Sequence, residues 1–391
     1  MLQDVKIIIT DTTGKIVSVE NQFSAYSFDT QYGVVADAFN LTLVNNNSDI
    51  EPGHNVDFII DGVVSFRGVI LRRDSMVGKG ETRLSLSGKD RATMLVENYC
   101  SVHNDYTDTA PKTIIDALID QTNFYTKEKG TADTASDSTG FNNSDDITNR
   151  NAVLLAYVNE SETASRRENK TEYDAEFTAL SNKAKFKIEP GDRVFEKIDS
   201  LVRSVGFEIL YQENGTLYIG DLNKKRYGDE VVYKITVKKD GNNSDAETAN
   251  LIDDISGRYS TISVTSQAEG YRYTSSFPHV NREKIATDST MKYKKFYAAH
   301  INDDEGSPEN VAIRIREDQR NEGYQYYCEV PGHKSNNGEI WKINRYVNVF
   351  DEFNKVYQHL VLYGRTFVYS NQTGSGTLLR MGKERINELE I

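Results

Sequence analysis

Short apolar runs separated by turn residues dominate the first quarter of the chain and predict consecutive β-strands. Apolar and polar residues alternate strictly from Phe39 to Leu43 and from Arg83 to Ser87, which places one strand face in a core and the other in solvent. We predict a strand series over residues 5–97 that closes into a barrel, because closure removes exposed edges. The supporting turn signals are Asp11 to Gly14, Pro52-Gly53 and Asp61-Gly62.

Helical spacing replaces alternation after Pro111 and predicts two helices. Thr109 is the expected cap of the first, with Pro111 in its first turn. Gly206 is a suitable end for the second, and an Asn214-Gly215 hairpin follows. A helix packed on a small sheet is therefore expected. The apolar stripes consist of Ile114, Ile115, Leu118 and Ile119 in the first helix, and of Val194, Ile198, Leu201, Val202 and Val205 in the second.

Two polar stretches interrupt these elements. Thr126 to Arg150 holds only Phe141 and Ile147 as large apolar residues, so we expect a mobile surface loop, with Ala152 to Val158 returning the chain to the body. Lys238 to Asn250 is expected to be a second long turn near a domain boundary.

Strand signals return at Ile262, and one helix interrupts them. Pro308 to Glu322 is charged, ends at Gly323, and is predicted to be helical. The last third continues with a strand-like run that begins at Gly338 to Trp341, an acidic turn at Asp351-Glu352, and a final strand at Gly376 to Leu379. The strand after the helix is expected to point Tyr324, Tyr326, Cys328 and Val330 to one side.

These elements predict a mainly β fold with an α+β middle part. The expected architecture has two tube-like antiparallel β-barrel domains and a small helix-on-sheet domain. We place the first barrel at 1–98, the middle domain at 99–228 with a long polar insertion at about 126–185, and the second barrel, with one inserted helix, at 229–391.

Composition agrees with a folded, strand-rich protein of 391 residues that contains 23 Tyr, 16 Phe and only 6 Pro. The net charge of −13 argues against ordinary sequence-specific duplex binding, which needs a basic patch. Cys100 and Cys328 are expected to be buried thiols, although one long-range disulfide is the alternative. The first residues form neither a signal peptide nor a membrane span, so we expect folding in a cytoplasm.

The sequence offers no catalytic, cofactor or metal residues that we can name. The six histidines are scattered singly, without an HExxH motif or a Cys-His group, and neither a GxSxG elbow nor a GxxxxGK[ST] loop is present. Asp303-Asp304-Glu305 and Asp351-Glu352 could serve as acid and base in glycoside cleavage, but solvated turns are the simpler interpretation. The histidines are His54, His103, His279, His300, His333 and His359.

Two further stretches have ligand-like composition. Asp240 to Asp245 carries oxygen donors but lacks the spacing of an EF-hand loop, so no bound ion is expected. Lys292 to Tyr297 interleaves lysines with aromatic residues, as in surfaces that bind single-stranded nucleic acid. An edge strand whose lysines discourage pairing is the simpler interpretation.

The order of these blocks resembles that of Mu-type bacteriophage tail hub proteins, which are related to contractile-tail hubs and to the N-terminal part of type VI secretion spikes. Coverage extends over most of the chain, and specificity lies in order and spacing. The segment from Thr126 to Lys185 is longer than the usual linker of that family. The blocks are Ile50 to Val56, Phe66 to Ile70, Leu86 to Asp90, Phe186 to Asp192, Ile262 to Gln267, Arg314 to Glu322 and Trp341 to Leu379.

The resemblance implies a non-enzymatic baseplate hub in the tail of a virion, assembled in the bacterial host cytoplasm. Such a hub forms a homotrimer whose pseudo-sixfold ring connects the tail tube protein to the central spike protein, contacts other baseplate proteins and lets DNA pass. The alternatives from other classes are a cell-wall or glycan-active hydrolase and a glycan-binding β-rich module. A hydrolase would need a cleft with two facing carboxylates.

Overall fold

The chain folds mainly into β-strands. The computed structural model describes residues 4–12, 14–33, 35–44, 49–79, 81–101, 103–122, 170–180, 183–222, 233–240, 244–267, 281–301 and 307–385. The helices are α1 (Thr93–Val96), α2 (Pro111–Ile119), α3 (Ala175–Thr178), α4 (Val194–Ser204) and α5 (Pro308–Gly323). The strands are β1 (Val5–Thr10), β2 (Ile16–Glu20), β3 (Phe23–Gln31), β4 (Ala38–Leu43), β5 (Asn55–Ile60), β6 (Val63–Gly78), β7 (Glu81–Asp90), β8 (Asn104–Thr109), β9 (Lys170–Tyr173), β10 (Lys183–Ile188), β11 (Glu208–Tyr211), β12 (Thr216–Gly220), β13 (Tyr233–Val237), β14 (Thr248–Asp253), β15 (Thr261–Gln267), β16 (Asn281–Thr287), β17 (Phe296–Ile301), β18 (Tyr324–Pro331), β19 (Tyr346–Asp351), β20 (Val356–Ser370) and β21 (Gly374–Gly382).

The first seven strands confirm the predicted strand series. Alternation is visible in β4, where Phe39, Leu41 and Leu43 are buried. Strands β5 and β6 join through Asp61 and Gly62, whose φ angles are both positive, at 48° and 80°. Two positive φ angles define the tight hairpin turn that matches the twist of paired strands. The local turn chemistry therefore fixes the register of this hairpin.

Both ends of the chain contribute to one continuous sheet. Its strand order is β14-β18-β21-β20-β3-β4-β7-β6-β5-β1-β2, with β19 attached to β20 and β13 to β19. The central seam is the antiparallel pairing of β3 with the second half of β20, from Gln31 opposite Gly364 to Ala25 opposite Ser370, with Phe28 opposite Phe367 at its middle. We call β1 to β7 the first strand set and β13, β14 and β18 to β21 the second strand set. One hydrophobic core contains buried residues from both sets, including Phe28, Phe58 and Phe367. The expected mainly β fold class is confirmed. The β3–β20 seam joins the two strand sets into one sheet.

Strand β20 is the element that both strand sets share. Its first half, from Val356 to Val361, pairs with β19, and its second half pairs with β3. Strand β21 lies along the other side of β20, with a register shift between Leu362 and Gly364. Such a bulge bends a strand and increases its local twist. The bend lets one long strand leave one strand set and enter the other.

The middle part packs helices on two small sheets, whereas a single small sheet was predicted. Strand β8 pairs with β10, and β11 pairs with β12, which also pairs with β9. A second hydrophobic core contains the predicted stripes of α2 and α4. Gly206 ends α4 with a φ of 86°, and Gly215 has a φ of 89° in the β11–β12 turn, so both predicted glycine positions are confirmed.

Two details of the prediction are wrong. Thr109 does not cap α2: the cap residue is Ala110, and the Thr109 hydroxyl donates to the Thr107 carbonyl at 3.0 Å because Thr109 ends β8. No strand begins at Gly338, because its φ of 84° makes a turn. The following strand, β19, begins at Tyr346, and the Trp341 ring packs on Tyr233 instead.

Helix α5 packs on a small sheet of its own. Strands β16, β15 and β17 form this sheet, and Ile262, Val264 and Ala312 are buried between it and the helix. The sequence predicted the helix, its end at Gly323 and the one-sided strand that follows, and all three are confirmed. The sequence predicted that Ile262 to Gln267 belong to the second barrel. This prediction is wrong, because β15 lies in the separate sheet that packs on α5. The end of α5 approaches the backbone at Asp254 so closely that position 323 requires a glycine, because a Cβ there would lie 2.3 Å from the Asp254 carbonyl oxygen.

Several predictions fall outside the described residues. These are the loop from Thr126 to Arg150, the return segment from Ala152 to Val158, the acidic group Asp303 to Glu305 and the centre of the Asp240 to Asp245 turn. The domain boundaries at 98/99 and 228/229 stay predictions.

Gly88 should be intolerant of a side chain. A Cβ there would lie 1.9 Å from the Val69 carbonyl oxygen and 2.6 Å from the Phe39 ring, so β7 would have to move away from β6. We expect Gly88→Ala to lower the free energy of unfolding by about 1–3 kcal/mol. Chemical denaturation measures the loss. Gly257→Ala is the control, because nothing lies within 4 Å of its added Cβ, and equal stability of the two variants would contradict the packing account.

Candidate functional site: the junction of the three parts and the exposed surfaces

The described residues provide little material for catalysis. They contain no group of three or more His, Cys, Asp or Glu side chains that could hold a metal. His103, His300 and His359 are exposed, His54 is half-buried, and His279 lies outside the described residues. A cavity of about 280 Å³ next to α5 has two carboxylates in its lining, Asp318 and Glu322, and Asp318 accepts a hydrogen bond from Arg385 at 2.8 Å.

Asp351 is buried, so the expectation of a solvated turn is wrong for this residue. Its carboxylate accepts hydrogen bonds from the Tyr326 hydroxyl at 2.7 Å and from the backbone N–H groups of Phe353 and Asn354 at 2.8 and 2.9 Å. Burial alone would raise the pKa of Asp351, but these bonds and one from the Asn354 side chain hold that pKa below its usual value. Asp351 therefore anchors the β19–β20 turn, while the adjacent Glu352 is exposed.

The remaining sequence candidates lie at an edge strand and in the hydrophobic cores. Phe296 begins β17, which is an edge strand of its sheet, and the Lys295 ammonium lies 4.5 Å from the centre of the Tyr259 ring. Cys100 and Cys328 are free, buried and in different hydrophobic cores, which confirms the expectation of two buried thiols. Within the part of the chain that the structure describes, no helix is both long and apolar enough to cross a membrane.

A buried arginine connects the three parts of the chain. Arg365, on β20, is 1% exposed. Its Nη2 donates to the Ser65 carbonyl of β6 at 2.9 Å and lies 3.4 Å from the Glu213 carboxylate in the β11–β12 turn. The guanidinium also stacks 4.3 Å from the centre of the Phe367 ring. One side chain thus contacts the first strand set, the middle part and its own strand set.

A second polar contact connects the end of β3 to the middle part and to α5. Arg385 donates to the Glu208 carboxylate of β11 at 2.7 Å and to Asp318 of α5 at 2.8 Å. The Tyr32 hydroxyl donates to the other Glu208 oxygen at 2.7 Å. Charged and hydrogen-bonded groups of this kind fix orientation, because any other docking angle would leave them unpaired.

His333 lies inside the shared core. Its Nε2 is 2.7 Å from the Tyr26 hydroxyl and its Nδ1 is 3.2 Å from the Thr377 hydroxyl, while its ring stacks on Phe367 at 4.5 Å. Burial, reinforced by the positive charge of Arg365, lowers the pKa of His333 to about 4. The imidazole is therefore neutral at pH 7 and joins β3 to β21 through hydrogen bonds.

Two exposed surfaces project from this framework. The first is the β6–β7 arm, described at residues 71–79 and 81–83, which carries Met76 and Val77 near its end at 57% and 74% exposure. The second is an aromatic patch at the β19–β20 turn, with Phe350, Phe353 and Tyr357 exposed and the Phe350 and Tyr357 rings 5.0 Å apart. Sequence reasoning missed both, because strand signals do not show where a sheet ends. Groups of exposed apolar side chains are candidate interaction surfaces.

Comparison with solved structures shows the class of fold. The chain is similar to a tail protein from Neisseria meningitidis, with 19% identity, 97% of each chain covered and a TM-score of 0.69. It is also similar to the 43 kDa tail protein of prophage MuSo2 from Shewanella oneidensis, with 14% identity, 97% of this chain and 98% of that chain covered, and a TM-score of 0.67. A prophage tail protein, gp18 from Listeria monocytogenes, matches at 9% identity over 97% of this chain and 95% of that chain, with a TM-score of 0.54.

No family model and no curated protein sequence matches the chain. The similarities to solved structures nevertheless extend over almost the whole length of both chains in each comparison. The fold is that of phage tail proteins. The resemblance to Mu-type tail hub proteins is thus confirmed at the level of the fold.

Loss of Arg365 should destabilise the junction. We expect Arg365→Met to lower the free energy of unfolding by about 2–4 kcal/mol, because the half-buried Glu213 carboxylate would lose its charge partner and the Ser65 carbonyl its donor. Chemical denaturation measures the effect. Adding Glu213→Gln should restore part of the loss. Lys284→Met is the control, since its ion pair with Glu309 is exposed, and an equally large loss in that variant would contradict the account.

His333 should make the fold sensitive to mild acid. Its folded pKa of about 4 lies below the ordinary 6.5, so the unfolded chain binds the proton more strongly. The stability contributed by neutral His333 is present above pH 6.5 and is lost as the pH falls toward 4, by roughly 3 kcal/mol. Denaturation midpoints measured across this interval should fall less steeply in His333→Gln. Identical slopes in both proteins would exclude this role for His333.

Proposed function

We propose that the chain is a structural baseplate hub of a phage or phage-tail-like particle. Three copies form a ring that connects the tail tube protein to the central spike protein and contacts other baseplate proteins. The observation that carries this proposal is the similarity to two phage tail proteins over 97% or more of every chain compared. Its location would be the tail baseplate of the virion, after assembly in the cytoplasm of the bacterial host.

The two strand sets supply a physical reason for a trimer. Each copy carries two antiparallel strand sets in one sheet, so three copies present six sets around a ring. Such a pseudo-sixfold ring meets a sixfold tube on one side and a threefold spike on the other. Because the seam between β3 and β20 and the buried Arg365 hold the two sets together, each copy acts as one rigid unit.

The role that we propose is non-enzymatic. The cavity beside α5 has its Asp318 carboxylate bonded to Arg385, which does not resemble the free facing pair that glycoside cleavage needs. The net charge of −13 supports a ring whose inner wall repels phosphate and lets DNA pass without sequence-specific binding.

Solution mass at several concentrations tests the proposal. We expect light scattering to report three times the 44.2 kDa of the chain at high concentration, with annular particles in low-resolution images. The ring interior should be acidic once the charge is mapped onto it. A compact monomer at every concentration, or a ring with a basic inner wall, would contradict the proposal.

A further inference from the structure

The β6–β7 arm stands free of the sheet from which it extends. Pairing of β5 with β6 ends at Val69, and pairing of β4 with β7 ends at Leu84. Beyond Leu84, β6 and β7 pair only with each other among the described strands, from Met76 opposite Arg83 to Gly78 opposite Glu81. The stretch of β6 from Arg72 to Ser75 pairs with β7 alone. An isolated two-stranded ribbon is at best marginally stable in water. A partner that covers this arm would therefore stabilise it.

The arm combines apolar residues with an excess of positive charge. Leu71, Met76 and Val77 are 43%, 57% and 74% exposed. Residues 71–83 contain four basic and two acidic side chains, a net charge of +2 in a chain whose total is −13. The partner should thus be acidic, partly apolar and able to accept a strand. The charged residues are Arg72, Arg73, Lys79 and Arg83 against Asp74 and Glu81.

Strand β14 has the complementary properties. It is an end strand of the large sheet and pairs only with β18 among the described strands, so its outer backbone edge is open to another strand. Ile252 and Ile255 are 41% and 42% exposed. Residues 244–257 contain four acidic and no basic side chains. The acidic residues are Asp245, Glu247, Asp253 and Asp254.

The two surfaces belong to different places in the fold. Five strands lie between β14 and β7 in the sheet order, and the arm does not pair with β14 of its own chain. A contact between two distinct surfaces of identical chains is heterologous, and it closes into a ring when the rotation between neighbouring copies fits. The arm and the β14 edge can thus act as the two halves of a ring contact.

We propose that the β6–β7 arm of one copy docks along the β14 edge of a second copy of this chain. This inference rests on the proposed ring and names one of its contacts. Backbone hydrogen bonds between the arm and β14 supply strand addition, while Met76 and Val77 approach Ile252 and Ile255. The basic residues of the arm face the acidic edge, which selects this partner and gives the contact a salt dependence.

A charge swap tests the contact. We expect Arg72→Glu with Arg83→Glu to weaken trimer formation at least about tenfold, because like charges would then face each other. Combining these changes with Glu247→Lys and Asp253→Lys should restore assembly. The matched control is Lys292→Glu with Lys294→Glu, which makes the same change in net charge at exposed positions in the segment that precedes β17 and should leave assembly unchanged. Sedimentation or light scattering measures the mass of each protein.

The outcomes separate this contact from the ring itself. The contact is supported if the wild-type protein is a trimer, the arm variant dissociates and the combined charge swap assembles again. A wild-type trimer that persists in the arm variant, or an equal loss in the control, overturns the contact and leaves the ring in place. A wild-type protein that stays monomeric at every concentration overturns both.

Cross-linking gives a second measurement that does not depend on assembly strength. Val77 can be replaced by a photoreactive phenylalanine analogue without touching the core, because its side chain is 74% exposed. Irradiation of mixed isotopically light and heavy protein should join residue 77 of one copy to the segment 244–257 of another. Cross-links that map elsewhere, or that form only within one copy, would exclude the contact.

Discussion

The structure depends on one strand that serves two strand sets. The first half of β20 pairs with β19 and its second half pairs with β3, so strands from the beginning and the end of the chain become one sheet with one core. A shared seam buries apolar side chains from both sets, and this burial is the main stabilising contribution. The relative position of the two sets is thereby fixed by backbone hydrogen bonds rather than by a flexible linker.

Buried polar groups then specify how the third part docks. Arg365 contacts Ser65 and Glu213, while Arg385 contacts Glu208 and Asp318. Placing charges in a core costs desolvation energy, so such contacts contribute more to orientation than to net stability. The proposed hub, which would present matched surfaces to a tube and to a spike, needs this fixed orientation. Rigidity within each copy is therefore the physical basis of the proposed adaptor role.

Local chemistry made much of the fold predictable. Alternation in Phe39 to Leu43, the Asp61-Gly62 turn and the helix end at Gly206 depend on near neighbours in the chain, and all appear where expected. Long-range pairing did not follow from such signals: nothing in the apolar pattern indicates that Phe28 lies opposite Phe367. Likewise, Asp351 looked like a solvated turn residue because its hydrogen bond from Tyr326 depends on tertiary structure.

Hydrogen exchange measured amide by amide across the β3–β20 seam tests the central claim most directly. If the two strand sets form one cooperative unit, the amides of residues 25–31 and 364–370 that bond across the seam should exchange together, at the free energy of global unfolding. Exchange of either set at a much lower free energy, while the other remains protected, would show that the sets unfold independently and would contradict the account.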